Sequence, residues 1–464
     1  MREFSGTKGF VLGAASSGSG KTTIAAALCR ALRDAGMAVQ PFKAGPDFID
    51  PTYLSLASGR TCRNLDAFPC PGLMPYFYAE QCREGTQADI AVVEGVMGLY
   101  DGAGAEGAYS TAHLARKLGL PVILIVDAKA AATSVAATVK GFATLDPLAP
   151  SVAGVIANRA SDERHASLIG EAVRRYAGIP MVGWVPNIGG RSFPSRHLGL
   201  VPANEREETN GVIERFAQAL SERLDVGMLA QIARAPSGKY VEPDLPDGVT
   251  KAGGSPVRVA VADDDAFCFH YRENWQLFTR LGAEVTPVSP LRDKFVPEDT
   301  DLLILPGGYP EVFRDELRAN ENFTRSARDF AKKGCVYAEC GGMMYLCRNY
   351  AGVMDADALM TDRLSRFGYV EGRALGDNLI MKGGDTVRAH EFHYSRIEGA
   401  PPGAFSVRKF SRPADEWKDG YSLNGGRLLA TYLHINFYSR PESAARMLSR
   451  AAGRAVQDFD FVIK

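Results

Sequence analysis

No apolar run in this sequence approaches the roughly 18 residues that a bilayer-spanning helix needs, so a membrane-embedded protein is not expected. The N-terminus, Met1-Arg2-Glu3-Phe4-Ser5-Gly6-Thr7-Lys8, is polar and leads directly into a strand-like segment, unlike a signal peptide. Charge of one sign is also missing. Lys and Arg number 53 against 54 Asp and Glu, a formal charge of −1, whereas a nucleic-acid partner usually requires a basic excess. The eight cysteines, at positions 29, 62, 70, 82, 268, 335, 340 and 347, include no C-x-x-C pair. They read as reduced thiols of a cytoplasmic protein and not as a disulfide framework. Internal repeats and low-complexity tracts are absent. What is present is an ordinary globular composition, 46% hydrophobic and 23% charged over 464 residues, enough for two or three domains.

The first half alternates short apolar runs with helical stretches, the pattern of a parallel α/β sheet. Phe10 to Gly13 reads as the first strand and Thr22 to Ala35 as a helix. Val92-Val93 ends at Glu94, Val122 to Val126 ends at Asp127, and Val152 to Ile156 ends at Asn158. Polar residues just past strand C-termini are where open α/β sheets bind ligands. Residues 235–256 are rich in Pro and Gly and lack periodicity, which marks a linker between a domain at 1–234 and one at 257–464. The strand Val257 to Ala262 opens the second unit.

Two stretches carry chemistry. Ala15-Ser16-Ser17-Gly18-Ser19-Gly20-Lys21-Thr22-Thr23 fits a P-loop between a strand and a helix, with Ala15 where the strict pattern has Gly. Backbone N–H groups of Gly18 to Thr23 can cradle phosphates, Lys21 can reach the β/γ oxygens of ATP, and Thr22 can ligate Mg²⁺. Lys43 to Pro51 places Asp47 and Asp50 beside a lysine, and Glu94 sits like a Walker-B acid at a strand end. By themselves Asp47 and Asp50 would read as a solvated loop; beside Glu94 and the P-loop, Thr22, Asp47 and Glu94 become candidate Mg²⁺ ligands, although the residues do not divide metal duty from substrate duty. Asp127 is a candidate of the same type.

The other stretch is Tyr337-Ala338-Glu339-Cys340-Gly341-Gly342-Met343-Met344, an apolar strand, a cysteine, two glycines and a helix-compatible run. That order suits a nucleophile elbow, where a helix N-terminus favours the thiolate and free N–H groups hold an oxyanion. By itself Cys340 would read as a core thiol. Two distant pieces alter that reading: Pro306-Gly307-Gly308-Tyr309-Pro310-Glu311 after a strand at 301–305, and Tyr432-Leu433-His434 after another apolar run. A cysteine, a later histidine and a Gly-Gly turn are the parts of an acyl-transferring thiol site. Cys340 is then the nucleophile, His434 the base, and the N–H groups near Gly308 and Gly341 the oxyanion donors.

LPGGYPE, AECGGMMYL and ATYLHINF, in that order, resemble the glutamine amidotransferase domain of the cobyrinate a,c-diamide synthase family. KxGPDxIDP and VxEGVMGLYDG in the first half resemble the same family, so the likeness covers nearly the whole chain. It implies an α/β protein, with an N-terminal P-loop, dethiobiotin synthetase-like parallel sheet and a C-terminal class I glutamine amidotransferase-like domain. It also implies that Asp47, Asp50 and Glu94 belong to an ATP–metal–carboxylate site, with ATP and Mg²⁺ as cofactors. Asn158 resembles the adenine-reading residue of dethiobiotin synthetase-like folds. The implied substrates are glutamine and a tetrapyrrole polycarboxylate, with the a and c acetates of cobyrinate amidated through acyl phosphates. Ser16 and Ser17 stand where relatives that dimerise across ATP carry a lysine, which removes support for that mode; a homodimer of another kind is left open.

Three features depart from the family pattern or lack a derived role. Many class I glutaminases carry a glutamate two residues after the histidine, but here that residue is Asn436. The site is then either a Cys–His dyad or one in which Asn436 orients the ring. Arg388 to Ser395 holds His390 and His393 around Glu391, which is not a zinc-protease spacing, and packing is the preferred reading over metal. Pro194 to Leu200 resembles a family motif of underived role. Alternatives are the same chemistry on hydrogenobyrinate, nickel sirohydrochlorin or sirohaem, the action of a cobyric acid synthase, and a P-loop regulatory ATPase with an inactive glutaminase-like module.

Overall fold

The computed structural model describes residues 2–3, 6–146, 150–188, 203–236, 239–399 and 401–453. The motif at 194–200 lies outside the described residues. The chain divides into two compact units, Met1–Pro243 and Asp244–Lys464. The division falls inside the breaker-rich stretch at 235–256, yet parts of that stretch are tied down. Lys239–Tyr240 pairs antiparallel with Arg2–Glu3 in the first unit, and Val249 N–H donates to Leu281 O at 2.7 Å in the second.

Among the described residues, the first unit is built on a seven-stranded sheet. The order across it is Arg63–Leu65, Val39–Ala44, Ile90–Glu94, Lys8–Ala14, Val122–Asp127, Val152–Ala160 and Met181–Pro186, all parallel. A strand covered on both faces reads as a continuous apolar run. Val122 to Val126 is fully buried, and the exposed Asp127 ends it. Lys8–Ala14 is central, and the turn after it opens the helix Lys21–Asp34, whose Ala25-Ala26-Ala27-Leu28 stretch favours helix and packs into the core. Register aligns the strand ends. Lys43 pairs with Glu94, Leu12 with Glu94, and Asp127 with Asn158, so the functional side chains share one sheet edge.

In the second unit, Ala283–Val288, Val257–Ala262, Leu302–Leu305, Cys335–Glu339 and Leu428–Thr431 run parallel, and Tyr421–Leu423 closes that sheet antiparallel. Leu303, Leu305, Val336 and Ala338 form its buried centre, each large aliphatic side chain contributing about 1.5–3 kcal/mol by burial. A separate antiparallel sheet, ordered Thr386–His393, Arg366–Ala374, Phe405–Lys409 and Arg412–Asp419, is inserted between the elbow helix Gly341–Leu346 and the strand Leu428–Thr431. The sequence reading had located only its HEFHYS tract.

Candidate active sites

The phosphate loop turns on two glycines in the left-handed region, Gly18 at φ 82° and Gly20 at φ 85°, where side chains are strained. Gly20 has a second constraint, since a Cβ there would lie 2.3 Å from Asn158 Nδ2. Lys21 Nζ donates to Met97 O at 3.1 Å. Thr22 Oγ1 lies 2.8 Å from Glu94 Oε1 and 3.2 Å from Asp50 Oδ2. The sequence-predicted Lys21, Thr22, Asp47, Asp50 and Glu94 are therefore brought together. Asp47 also has a local task, its Oδ1 accepting from Ile49 N and Asp50 N where the helix Asp50–Ser58 begins.

Lys43 stands at the centre of this cluster and had no role in the sequence reading. Its buried ammonium donates to Asp50 Oδ2 at 2.6 Å, Glu94 Oε1 at 3.0 Å and Gly95 O at 3.2 Å, with Asp47 Oδ2 at 3.9 Å. Burial pulls the Lys43 ammonium down, but Asp50, Glu94 and Asp47 together outweigh it and raise it above the usual lysine range. Burial pushes the Glu94 carboxyl up to about 7 despite the opposing pull of Lys43. Three carboxylates stand against the ammoniums of Lys43 and Lys21, and the buried Glu94 Oε2 has no hydrogen-bond partner. Such a donor set fits a hard divalent cation. Among the described residues no three acidic, histidine or cysteine side chains form a ready-made cage; Mg²⁺ held by one or two carboxylates plus phosphate needs none.

A cleft of about 310 Å³ opens beside the loop, lined in part by Ser16, Gly18, Asp127 and Arg159. Arg159 adopts φ 63°, pairs with both oxygens of Asp127, and reaches Gly18 O at 3.4 Å. Asn158 is buried and gives its amide to Ser19 O at 2.9 Å. It thus touches the phosphate loop itself, while its neighbour Arg159 lines the cleft.

The thiol site is a sharp elbow. Cys340 adopts φ 45° and ψ −103°, a strained conformation for a non-glycine residue, held by its N–H on Thr431 O at 2.7 Å. Close packing excludes side chains around it. A Cβ on Gly342 would lie 2.0 Å from Leu305 O, one on Gly341 2.9 Å from Gly308 N, and one on Gly307 2.4 Å from His434 Cε1. The Gly308 loop therefore lies against the elbow, and among the described residues the N–H groups of Gly308 and Gly341 have no backbone acceptor. Two adjacent free N–H groups suit an oxyanion. Burial pulls the His434 imidazole down, but its interactions with Cys340 and Glu339 raise it to about 10.

The inserted sheet closes over this site. His390 exchanges backbone hydrogen bonds with His434, at 3.2 and 2.9 Å, and Phe392 O lies 3.9 Å from Cys340 Sγ. The Arg388–Ser395 tract thus braces the thiol site. Asn436, one of the two possibilities for the site considered from sequence, has its Oδ1 accepting from Tyr438 N at 3.1 Å, capping the turn Phe437–Ser439. The residue that approaches the ring is Glu339, with Oε2 at 3.6 Å from His434 Nδ1. Lys43 and Glu339 carried the same overlooked signal, a charged residue inside a fully buried strand.

Residues 10–190 match the CobQ/CobB/MinD/ParA nucleotide binding domain, and residues 258–442 match the CobB/CobQ-like glutamine amidotransferase domain. The chain is 40% identical over 459 residues to the cobyrinate a,c-diamide synthase of Salmonella typhimurium, covering 95% of this chain and 98% of that one. It is 38% identical over 454 residues to the protein of the same name from Streptococcus sanguinis, with 95% and 98% covered. It is 39% identical over 486 aligned positions to the hydrogenobyrinate a,c-diamide synthase of Streptomyces coelicolor, with 95% and 96% covered.

Proposed function

The chain belongs to the cobyrinate a,c-diamide synthase family, and we propose that it amidates the a and c acetate carboxylates of cobyrinate through acyl phosphates, with ammonia released at Cys340. The observation that carries this reading is Cys340, fixed at φ 45° beside His434 and the Gly308 loop, in a chain that also holds the Lys21–Thr22–Glu94 cluster. The amidation is glutamine-dependent, and the first unit uses a nucleotide.

In the synthetase half, the loop N–H groups and Lys21 hold the phosphates of ATP. A substrate carboxylate oxygen attacks the γ-phosphorus and ADP leaves. Ammonia then attacks the acyl carbon and phosphate departs. Thr22 and Glu94, with Asp47 or Asp50, would hold Mg²⁺, which supplies charge neutralisation along the phosphates. Lys43 keeps the acids compact and partly neutralised.

In the glutaminase half, the Cys340 thiolate attacks the side-chain amide carbon of glutamine. The oxyanion turns to the N–H groups of Gly308 and Gly341. His434, held as imidazolium, gives its proton to the departing ammonia and then takes one from the water that hydrolyses the thioester.

The test is mass spectrometry of products after incubating a panel of tetrapyrrole acids with ATP, Mg²⁺ and glutamine. Two successive exchanges of OH for NH₂ on cobyrinate are expected. Failure to amidate cobyrinate with either glutamine or ammonia overturns the substrate reading. The 39% identity to a hydrogenobyrinate enzyme favours hydrogenobyrinate as the second substrate to try.

A further inference from the structure

Glu339 is the last residue of the strand Cys335–Glu339 and lies immediately before the nucleophile, 5% exposed. Two donors fix its carboxylate. Tyr337 Oη donates to Oε1 at 2.7 Å, and Ile435 N–H donates to the same oxygen at 3.1 Å. The second donor belongs to the residue after His434, so the loop that carries the imidazole is fastened to this side chain. The other oxygen, Oε2, faces His434 Nδ1 at 3.6 Å, an ion-pair distance that leaves room to shorten when substrate binds. Gly307 also packs against the ring, where a Cβ would lie 2.4 Å from His434 Cε1.

We propose that Glu339 is the residue that positions His434 and balances its imidazolium charge, in place of an acid two residues after the histidine. The proposal rests on the reading of Cys340 and His434 as a glutaminase pair. Asn436 is committed to Tyr438 N and cannot supply a charge. Burial raises Asp419 to about 6, so it keeps its charge at neutral pH, but it is committed to Thr431 Oγ1 and Tyr432 N. Burial holds His390 and His393 neutral, at about 3 and 4, and lowers His270. Burial also raises Glu391 to about 8 and Tyr337 well above the usual tyrosine range. A carboxylate at Glu339 stabilises the charged ring that must protonate ammonia, and its loss removes transition-state stabilisation without removing a contact to glutamine.

The experiment is steady-state glutamine hydrolysis by Glu339→Gln across the pH range, with ammonia-dependent synthesis as the folding control. The amide keeps an oxygen for Tyr337 and Ile435 N but carries no charge. The expected result is a kcat lower by on the order of 100-fold with KM little changed. The alkaline limb of the profile should also move to lower pH, because His434 loses a group that raises it. Glu339→Asp, which keeps the charge but withdraws it by one methylene, should lose less and cover the case in which Glu339→Gln does not fold. Wild-type kcat and an unmoved alkaline limb in these variants overturn the proposal. Equal loss of ammonia-dependent synthesis also overturns it, because that outcome marks a purely structural residue. His434→Ala is measured alongside: if it retains glutaminase activity, the underlying Cys–His reading fails, whereas an inactive His434→Ala beside a normal Glu339→Gln refutes Glu339 alone.

Discussion

Replacing Lys43 by methionine tests the acid cluster most directly. The substitution preserves much of the side-chain bulk but removes the ammonium that bonds Asp50 at 2.6 Å and Glu94 at 3.0 Å. Side-chain exposures of 3% for Lys43, 2% for Asp50 and 0% for Glu94 leave no solvent to take over that charge. Breaking a buried pair by removing one partner costs about 3–5 kcal/mol. In a unit of this size each kcal/mol lowers Tm by about 2–4 °C, so Lys43→Met should fall by roughly 6–20 °C. The loss should depend on pH. Glu94 titrates at about 7 in the folded protein, above the ordinary glutamate value of 4.5. Its contribution to stability is therefore present at low pH and lost as pH rises through about 7. Without Lys43 that pKa rises further, so the deficit should be larger at about pH 8 than at about pH 6. Thermal unfolding followed by circular dichroism measures both. A Lys43→Met protein within a degree or two of wild type, or a deficit equal at the two pH values, would refute the cluster as drawn.

The remaining expectations concern the two sites separately. Cys340→Ala should abolish glutamine-dependent synthesis and keep synthesis from high ammonia; loss of the latter in a folded protein would sink the two-site scheme. Lys21→Ala should abolish synthesis from either nitrogen source, and near-normal turnover would mean that this loop does not hold the reacting nucleotide. Because Glu94 titrates at about 7, Mg²⁺–ATP binding should release a proton and tighten as pH rises toward that value; equal affinity well below and above it, read by calorimetry in two buffers, counts against Glu94 as a ligand. Gly307→Ala places a methyl 2.4 Å from His434 Cε1, so glutaminase turnover should drop by at least about tenfold, a cost of about 1.4 kcal/mol, and an unchanged kcat would show that the ring can retreat harmlessly.

Much of the architecture was legible because it rests on local patterns. A strand buried on both faces writes itself as an apolar run, as at Val122 to Val126, and a phosphate loop declares its glycines. The elbow could be read because a buried strand, Cys340 and Gly341-Gly342 are consecutive. The inserted sheet was not legible for the opposite reason. Arg412–Asp419 is exposed over most of its length, so it has no apolar periodicity to set against solvent, and its pairing is decided by partners outside the strand. Lys43 and Glu339 escaped because a single charge in an apolar strand does not announce its partner. Their roles depend on which strand ends the sheet places side by side.

Glu339 and Asn436 differ in the route by which each reaches the neighbourhood of His434. Asn436 stands two residues after His434, where many class I glutaminases carry a glutamate. The backbone there turns into Phe437–Ser439, and that turn requires the Asn436 oxygen as a cap. Proximity in the sheet offers another route to the ring. Cys335–Glu339 and Leu428–Thr431 are parallel neighbours, and Glu339 is in register with Thr431. The chain leaves Thr431 and arrives at His434 three residues later, while the neighbouring strand ends at Glu339 and turns into Cys340. Acid and nucleophile thus emerge together from one strand end, and the histidine emerges from the adjacent one. The Ile435 N–H bond to Glu339 at 3.1 Å fastens the two ends at that point. An acid that orients the base therefore needs no fixed spacing from it along the chain. It needs a strand end within reach of the ring, and register supplies one at Glu339.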